Sequence, residues 1–324
     1  MTSTQTKIIK NYLTGSFLCF LIGFHAVTVI HECAGHGLSV ILLGGKIEDI
    51  YISWMGGSGY LHGDLGEAVL TPWKLALFEW AGIVMTLVFG AAVWFVWSRY
   101  FRDTIWSGML LWITVLSAVT GSFGYIVFGL HYGYGDMVNT ARFLRERSLL
   151  TLAVFGAMAF HGAIMTGISR QVPYLQHKWL RFESWKLHMV AACLVMGAGA
   201  GTVGLLNVAE GALLRPDVHS AIMRTEAMRK AEQQAETRNR QLVQEGKEPM
   251  TEEETETFVR KQADQYTPWP VYLVYIPFLF VCIVLGMRKG TETVPELQRP
   301  SRIPAWLWLA AAGSIAASPF ISRL

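Results

Sequence analysis

Long apolar runs separated by short polar stretches set the pattern of this chain. Seven runs reach the roughly 20 residues that a helix needs to cross a bilayer: residues 13–43, 73–98, 104–130, 149–169, 187–208, 269–287 and 304–321. The pattern predicts an all-α polytopic membrane protein with about seven transmembrane helices. The first run is longer than one crossing requires, so it is expected to tilt, bend or emerge from the bilayer. The last is short and interrupted by Gly313 and Pro319.

Two stretches depart from this pattern. Residues 44–66 are rich in glycine and carry the β-type residues Ile47, Ile50, Tyr51, Ile52 and Trp54. They predict a short hairpin or a Gly-rich, β-like re-entrant loop after the first helix. Non-helical backbone at membrane depth must be covered by protein or line a watery cavity. The stretch is therefore either a wall of a hydrated pocket or a surface loop. Residues 209–267 are strongly charged and read as solvent-facing helix, with a thin apolar stripe at Ile222, Met223, Met228, Leu242 and Val243. Pro249 breaks that helix, and Thr251 with Glu254 forms a capping box for the next one. The chain divides into a membrane core (13–170), a cytoplasmic linker with the fifth span (171–208), the charged extramembrane helical region (209–267) and a C-terminal pair of spans (268–324).

Composition agrees with the pattern. The chain has 324 residues, 52% hydrophobic and 16% charged, as expected of a multi-pass integral membrane protein. A net charge of +3 gives no basis for a nucleic-acid partner. The expected surroundings are membrane lipid and a transmembrane protein. The four cysteines all fall in apolar runs and read as small buried hydrophobes. Lys7, Lys10, Arg99, Arg102, Arg170, Lys178, Arg181, Lys186, Arg288, Lys289, Arg299 and Arg302 fall on one side of a seven-span topology. The positive-inside bias makes that side cytoplasmic. Arg142, Arg145 and Arg147 lie on the other.

The chemistry concentrates in VIHECAGHGL, Val29 to Leu38, inside the first run. His31, Glu32 and His36 are ionisable residues at membrane depth, where each is costly and marks a functional site by default. In H-E-x-x-H, two histidines one helical turn apart bind zinc and the glutamate serves as general base. Here the histidines stand at i and i+5, roughly 140° apart on a regular helix. Two geometries follow. A π-bulge, eased by Gly35, absorbs the extra residue and brings His31 and His36 together. Alternatively the helix stays regular, and Glu32 and His36 share a face with His25. A third ligand comes from outside the motif. Asp136, in the Gly-rich turn HYGYGDMVNTA, is the best carboxylate candidate, with His131 and Asn139 beside it. Asp136 also fits a helix N-cap. Glu79 in the second span reads as interfacial, His161 in the fourth as a packed histidine, and the small residues of the fifth as helix packing.

With His31, Glu32, His36 and Asp136 in view, residues 13–170 resemble the membrane-embedded zinc metalloproteases of the site-two protease family. Gly44 to Gly66 and the Ala81–Gly82 pair support the resemblance. The chain departs from that family in reading H-E-x-x-x-H, in placing Met137 after Asp136 where a glycine is usual, and in lacking an Asn-Pro approach to the aspartate. The resemblance implies Zn²⁺ held by His31, His36 and Asp136, with Glu32 as base. It implies intramembrane proteolysis of a transmembrane substrate helix, and a bacterial cytoplasmic membrane as the setting. Two other readings stay open: a catalytically inactive protease-like scaffold or accessory subunit, and an ion or proton transporter using His25, Glu32, His36 and His131.

Overall fold

The computed structural model describes residues 3–54, 56–57, 59–64, 71–180, 185–214, 226–265, 271–290 and 302–321. Arg181, Arg299, Ile222, Met223 and the end of the Gly-rich loop beyond Asp64 lie outside them. The chain opens with a continuous helical rod: α1 (Ser3–Val29), a π-helical segment (Ile30–Gly37) and α2 (Leu38–Leu42). An antiparallel hairpin follows, β1 (Lys46–Ile52) and β2 (Gly59–Asp64), pairing Ile52 with Gly59 and Lys46 with Asp64. The register shifts between Ile47 and Asp49. Then come α3 (Pro72–Val96), α4 (Trp106–Tyr132), a 3₁₀ turn (Gly135–Met137), α5 (Val138–Glu146), α6 (Leu150–Ser169), α7 (Val172–Leu180) and α8 (Trp185–Leu214). The last four helices are α9 (Glu226–Gln244), α10 (Glu252–Gln265), α11 (Tyr272–Lys289) and α12 (Ala305–Ile321).

Local sequence explains several of these ends. Pro72 opens α3 behind Thr71, where a missing N–H costs nothing. Gly133 closes α4 in the left-handed conformation (φ 65°), and its N–H returns to the Gly129 carbonyl. Thr251 and Glu254 make the expected reciprocal cap: the Thr251 N–H donates to Glu254 Oε2 at 2.8 Å, and the Glu254 N–H to Thr251 Oγ1 at 3.3 Å.

Five helical stretches are long and apolar enough to cross a membrane among the described residues: Thr6–Leu42, Lys74–Phe101, Trp106–Tyr132, Leu150–His177 and Tyr272–Lys289. The protein is thus a mostly helical membrane protein. The other two expected spans also fold as helices: α8 has 30 residues, of which Lys186–Val195 are the described apolar stretch, and α12 has 17. The helix α8 also runs to Leu214, past residue 209, where the sequence pattern placed the extramembrane region.

The helix α4 is the centre of the bundle. Ile113, Val115, Leu116, Val127 and Leu130 along it are buried, and it packs against α1, α3 and α6. The helix α11 lies against α6, α8 and α12 lie against α1, and α9 pairs with α10. A second, smaller core lies under the hairpin, where Ile50, Ile52 and Leu61 cover Val40 of α2. That packing seats the hairpin beside the π-helical segment.

Candidate metal centre

The π-helical segment settles the spacing problem. Its eight residues, Ile30–Gly37, take the wider turn, and the Leu38 N–H reaches back five residues to the Cys33 carbonyl. The i, i+5 pair therefore lies on one face. His31 Nε2 and His36 Nε2 are 3.3 Å apart, with the rings edge to face. The regular-helix alternative, with Glu32, His36 and His25 as one face of ligands, is not the arrangement found. His25 instead bonds the Leu21 carbonyl and Ser318 Oγ, both at 3.0 Å.

Asp136 arrives from the turn between α4 and α5. Gly133 and Gly135 (φ 57°) supply the left-handed backbone that the turn needs. The Asp136 N–H donates to the Tyr125 hydroxyl at 3.2 Å. Its Oδ2 lies 3.0 Å from His31 Nε2 and 2.9 Å from His36 Nε2. Burial alone would raise this carboxyl's pKa, but the neighbouring His36 and His31 rings outweigh that and hold it below the ordinary carboxylate range. The three ligand atoms lie within 4.8 Å of one another. Two nitrogens at about 2.0–2.1 Å from a tetrahedral ion stand about 3.3 Å apart, the spacing seen here. Two imidazoles and one carboxylate is a donor set that could hold a metal ion, and it suits zinc, iron or cobalt alike.

One face of α3 backs this cluster. Phe78, Gly82 and Thr86 succeed each other at four-residue intervals. His36 Nδ1 lies 2.9 Å from the Phe78 carbonyl, an acceptor only, so Nδ1 carries the proton and Nε2 is left to ligate. His31 Nδ1 lies 3.3 Å from Thr86 Oγ1. Gly82 leaves room for the rings: a Cβ there would stand 2.5 Å from His36 Nε2 and 2.7 Å from His31 Nε2. A side chain on Gly35 would collide with the backbone of Ala81 and Gly82. The Ala81–Gly82 pair is thus the contact that lets α3 approach the motif.

Glu32 is buried, and its carboxylate makes no hydrogen bond among the described residues. Gly59 of β2 lies directly over it; a Cβ there would come 2.6 Å from Glu32 Cγ. The connection between the strands is clasped from three sides. Glu210 of α8 accepts from the Tyr51 hydroxyl at 2.7 Å and from the Trp54 N–H at 2.9 Å. Asn207 bonds Ser53 Oγ and the Gly56 carbonyl. Ser318 of α12 donates to the Ser53 carbonyl, and Thr28 Oγ1 accepts from the Gly57 N–H.

The remaining candidates fall elsewhere. His131 is buried near the end of α4 with its ring against Tyr132, outside the ligand cluster. Asn139 contributes its backbone N–H, to Glu79 at 2.6 Å. His161 bonds the Tyr275 hydroxyl at 2.5 Å, as a packed histidine does. The supporting residues Phe78, Glu79, Thr86, Asn207 and Glu210 were not singled out as part of a site by the sequence. A signal existed for Glu79, a carboxylate within an apolar run. Compared with family models, curated proteins and solved structures, the chain matches none.

Proposed function

We propose that the chain is an intramembrane metallohydrolase of the site-two protease kind, cleaving peptide bonds in a transmembrane substrate. The observation that carries this reading is the convergence of His31, His36 and Asp136, with Glu32 buried next to His31 in the chain. His31 Nε2, His36 Nε2 and Asp136 Oδ2 would hold the ion, and zinc suits this set. A divalent ion so held supplies Lewis-acid polarisation of a water molecule and of the scissile carbonyl. Glu32 accepts the proton that the water loses as its oxygen bonds the carbonyl carbon. Glu32 then returns that proton to the amine nitrogen as the C–N bond breaks. Phe78 and Thr86 keep the two rings oriented. The hairpin beside the cluster receives an extended, locally unwound substrate segment as an added strand. The setting in this proposal is a multi-pass protein whose hairpin re-enters the membrane layer.

The test uses purified protein in liposomes with a library of quenched fluorescent transmembrane peptides. Wild type loaded with zinc should release fluorescence, and Glu32→Gln should keep its metal and lose at least about 100-fold in rate. Equal rates in the two proteins would reject the assignment of Glu32. A scaffold without catalysis is the second reading, favoured by the clasped loop that presses Gly59 onto Glu32. It predicts metal binding with no cleavage in either protein.

A further inference from the structure

The ligand Asp136 has an unusual local problem. An aspartate just before a helix normally turns back to cap it, and here α5 starts at Val138. The Asp136 carboxylate is turned away to His31 and His36, and no side chain of its own segment caps α5. The N–H groups of Asn139 and Thr140, second and third in α5, are the ones that a cap must satisfy. Glu79, buried on α3, takes them across the bundle. Its Oε1 accepts from the Asn139 N–H at 2.6 Å. Its Oε2 accepts from the Thr140 N–H at 3.0 Å and from the Thr140 hydroxyl at 2.6 Å. Trp80, next in α3, donates Nε1 to Thr140 Oγ1 at 3.2 Å. A carboxylate is also the charge that a helix N-terminus favours.

We infer that Glu79 is a positioning residue for the metal centre: it caps α5 from α3 and so releases and fixes Asp136 as the third ligand. The inference rests on the metal-centre reading. It makes α3 the common frame of all three ligands, because Phe78 orients His36, Thr86 contacts His31 and Glu79 anchors the turn that carries Asp136. Partners that orient a ligand typically matter 10–100-fold in metal affinity. Glu79 belongs to that group although it touches no ligand side chain.

The experiment measures zinc affinity by chelator competition and the visible spectrum of the cobalt-loaded protein, in detergent, for wild type, Glu79→Leu, Glu79→Gln and Thr140→Val. Thermal unfolding of each metal-free protein runs in parallel. Glu79→Leu should weaken zinc binding about 10–100-fold and alter the cobalt spectrum. Glu79→Gln keeps one acceptor oxygen and should recover part of the affinity. Thr140→Val loses the hydroxyl's contacts with Glu79 and Trp80 but keeps the backbone cap, and should fall between Glu79→Gln and wild type. If Glu79→Leu fails to fold, Glu79→Gln and Thr140→Val carry the comparison. Folded variants with wild-type affinity and spectrum, differing only in unfolding temperature, would reduce Glu79 to a structural brace and overturn the inference alone. A wild type that binds no zinc would remove the metal centre and this inference with it.

Discussion

Gly82→Ala is the sharpest perturbation the centre offers, because it adds one methyl and changes no ligand. The added Cβ would lie 2.5 Å from His36 Nε2 and 2.7 Å from both His31 Cε1 and Nε2. Ordinary contact at such a position begins near 3.4 Å, so the overlap is about 0.7–0.9 Å on both rings at once. Metal–ligand distances tolerate only about 0.2 Å. The rings must therefore swing away, or α3 must withdraw, and either movement takes Nε2 atoms out of ligating range. Loss of at least about 100-fold in zinc affinity follows, equivalent to about 2.8 kcal/mol. Helix propensity pulls the other way: alanine is better than glycine by about 1 kcal/mol in a helix interior. Weakened binding therefore cannot be blamed on a frayed α3. The assay is competition with a chromophoric chelator, with Gly124→Ala as control. Gly124 lies on α4 with nothing within 4 Å of an added Cβ, and that variant should bind as wild type does. A Gly82→Ala protein with wild-type affinity would show that the rings do not need the space Gly82 leaves, and the assigned ligand geometry would fail.

Deleting Ala34 removes the residue that the π-helical segment absorbs, leaving H-E-x-x-H on a regular helix. Zinc affinity should stay within about tenfold of wild type; its abolition would show that the wide turn itself builds the site. Glu210→Ala takes the acceptor from the Trp54 N–H and the Tyr51 hydroxyl. Bonds to a charged group contribute about 1.5–3 kcal/mol, so hydrogen exchange at the Trp54 amide should speed up by tenfold or more. Unchanged protection would mean that α8 does not restrain the loop.

Much of the centre was legible in the chain, and the reasons are physical. The five-residue spacing of His31 and His36 admits a shared face only if the helix widens, and the segment does so over Ile30–Gly37. Asp136 stood out because two histidines leave a third ligand to find, and it is the best carboxylate candidate in the rest of the chain. Its alternative role as a cap goes instead to Glu79, a residue that reads as interfacial in the sequence. Which donors a buried carboxylate finds depends on the helix packed beside it, and no local pattern encodes that partner. The same holds for Glu210 and Asn207, which clasp residues some 150 positions away. The apolar pattern located seven helices, but length and apolarity single out five as spans among the described residues. A run such as 304–321 has the hydropathy of a span with only 17 helical residues.

The central claim, that His31, His36 and Asp136 hold one metal ion together, is tested most directly by elemental mass spectrometry of the purified, zinc-reconstituted protein. Wild type should carry one zinc per chain, and His31→Ala, His36→Ala and Asp136→Ala should each lose it. A wild type without metal, or any of the three variants keeping its zinc, would contradict the claim.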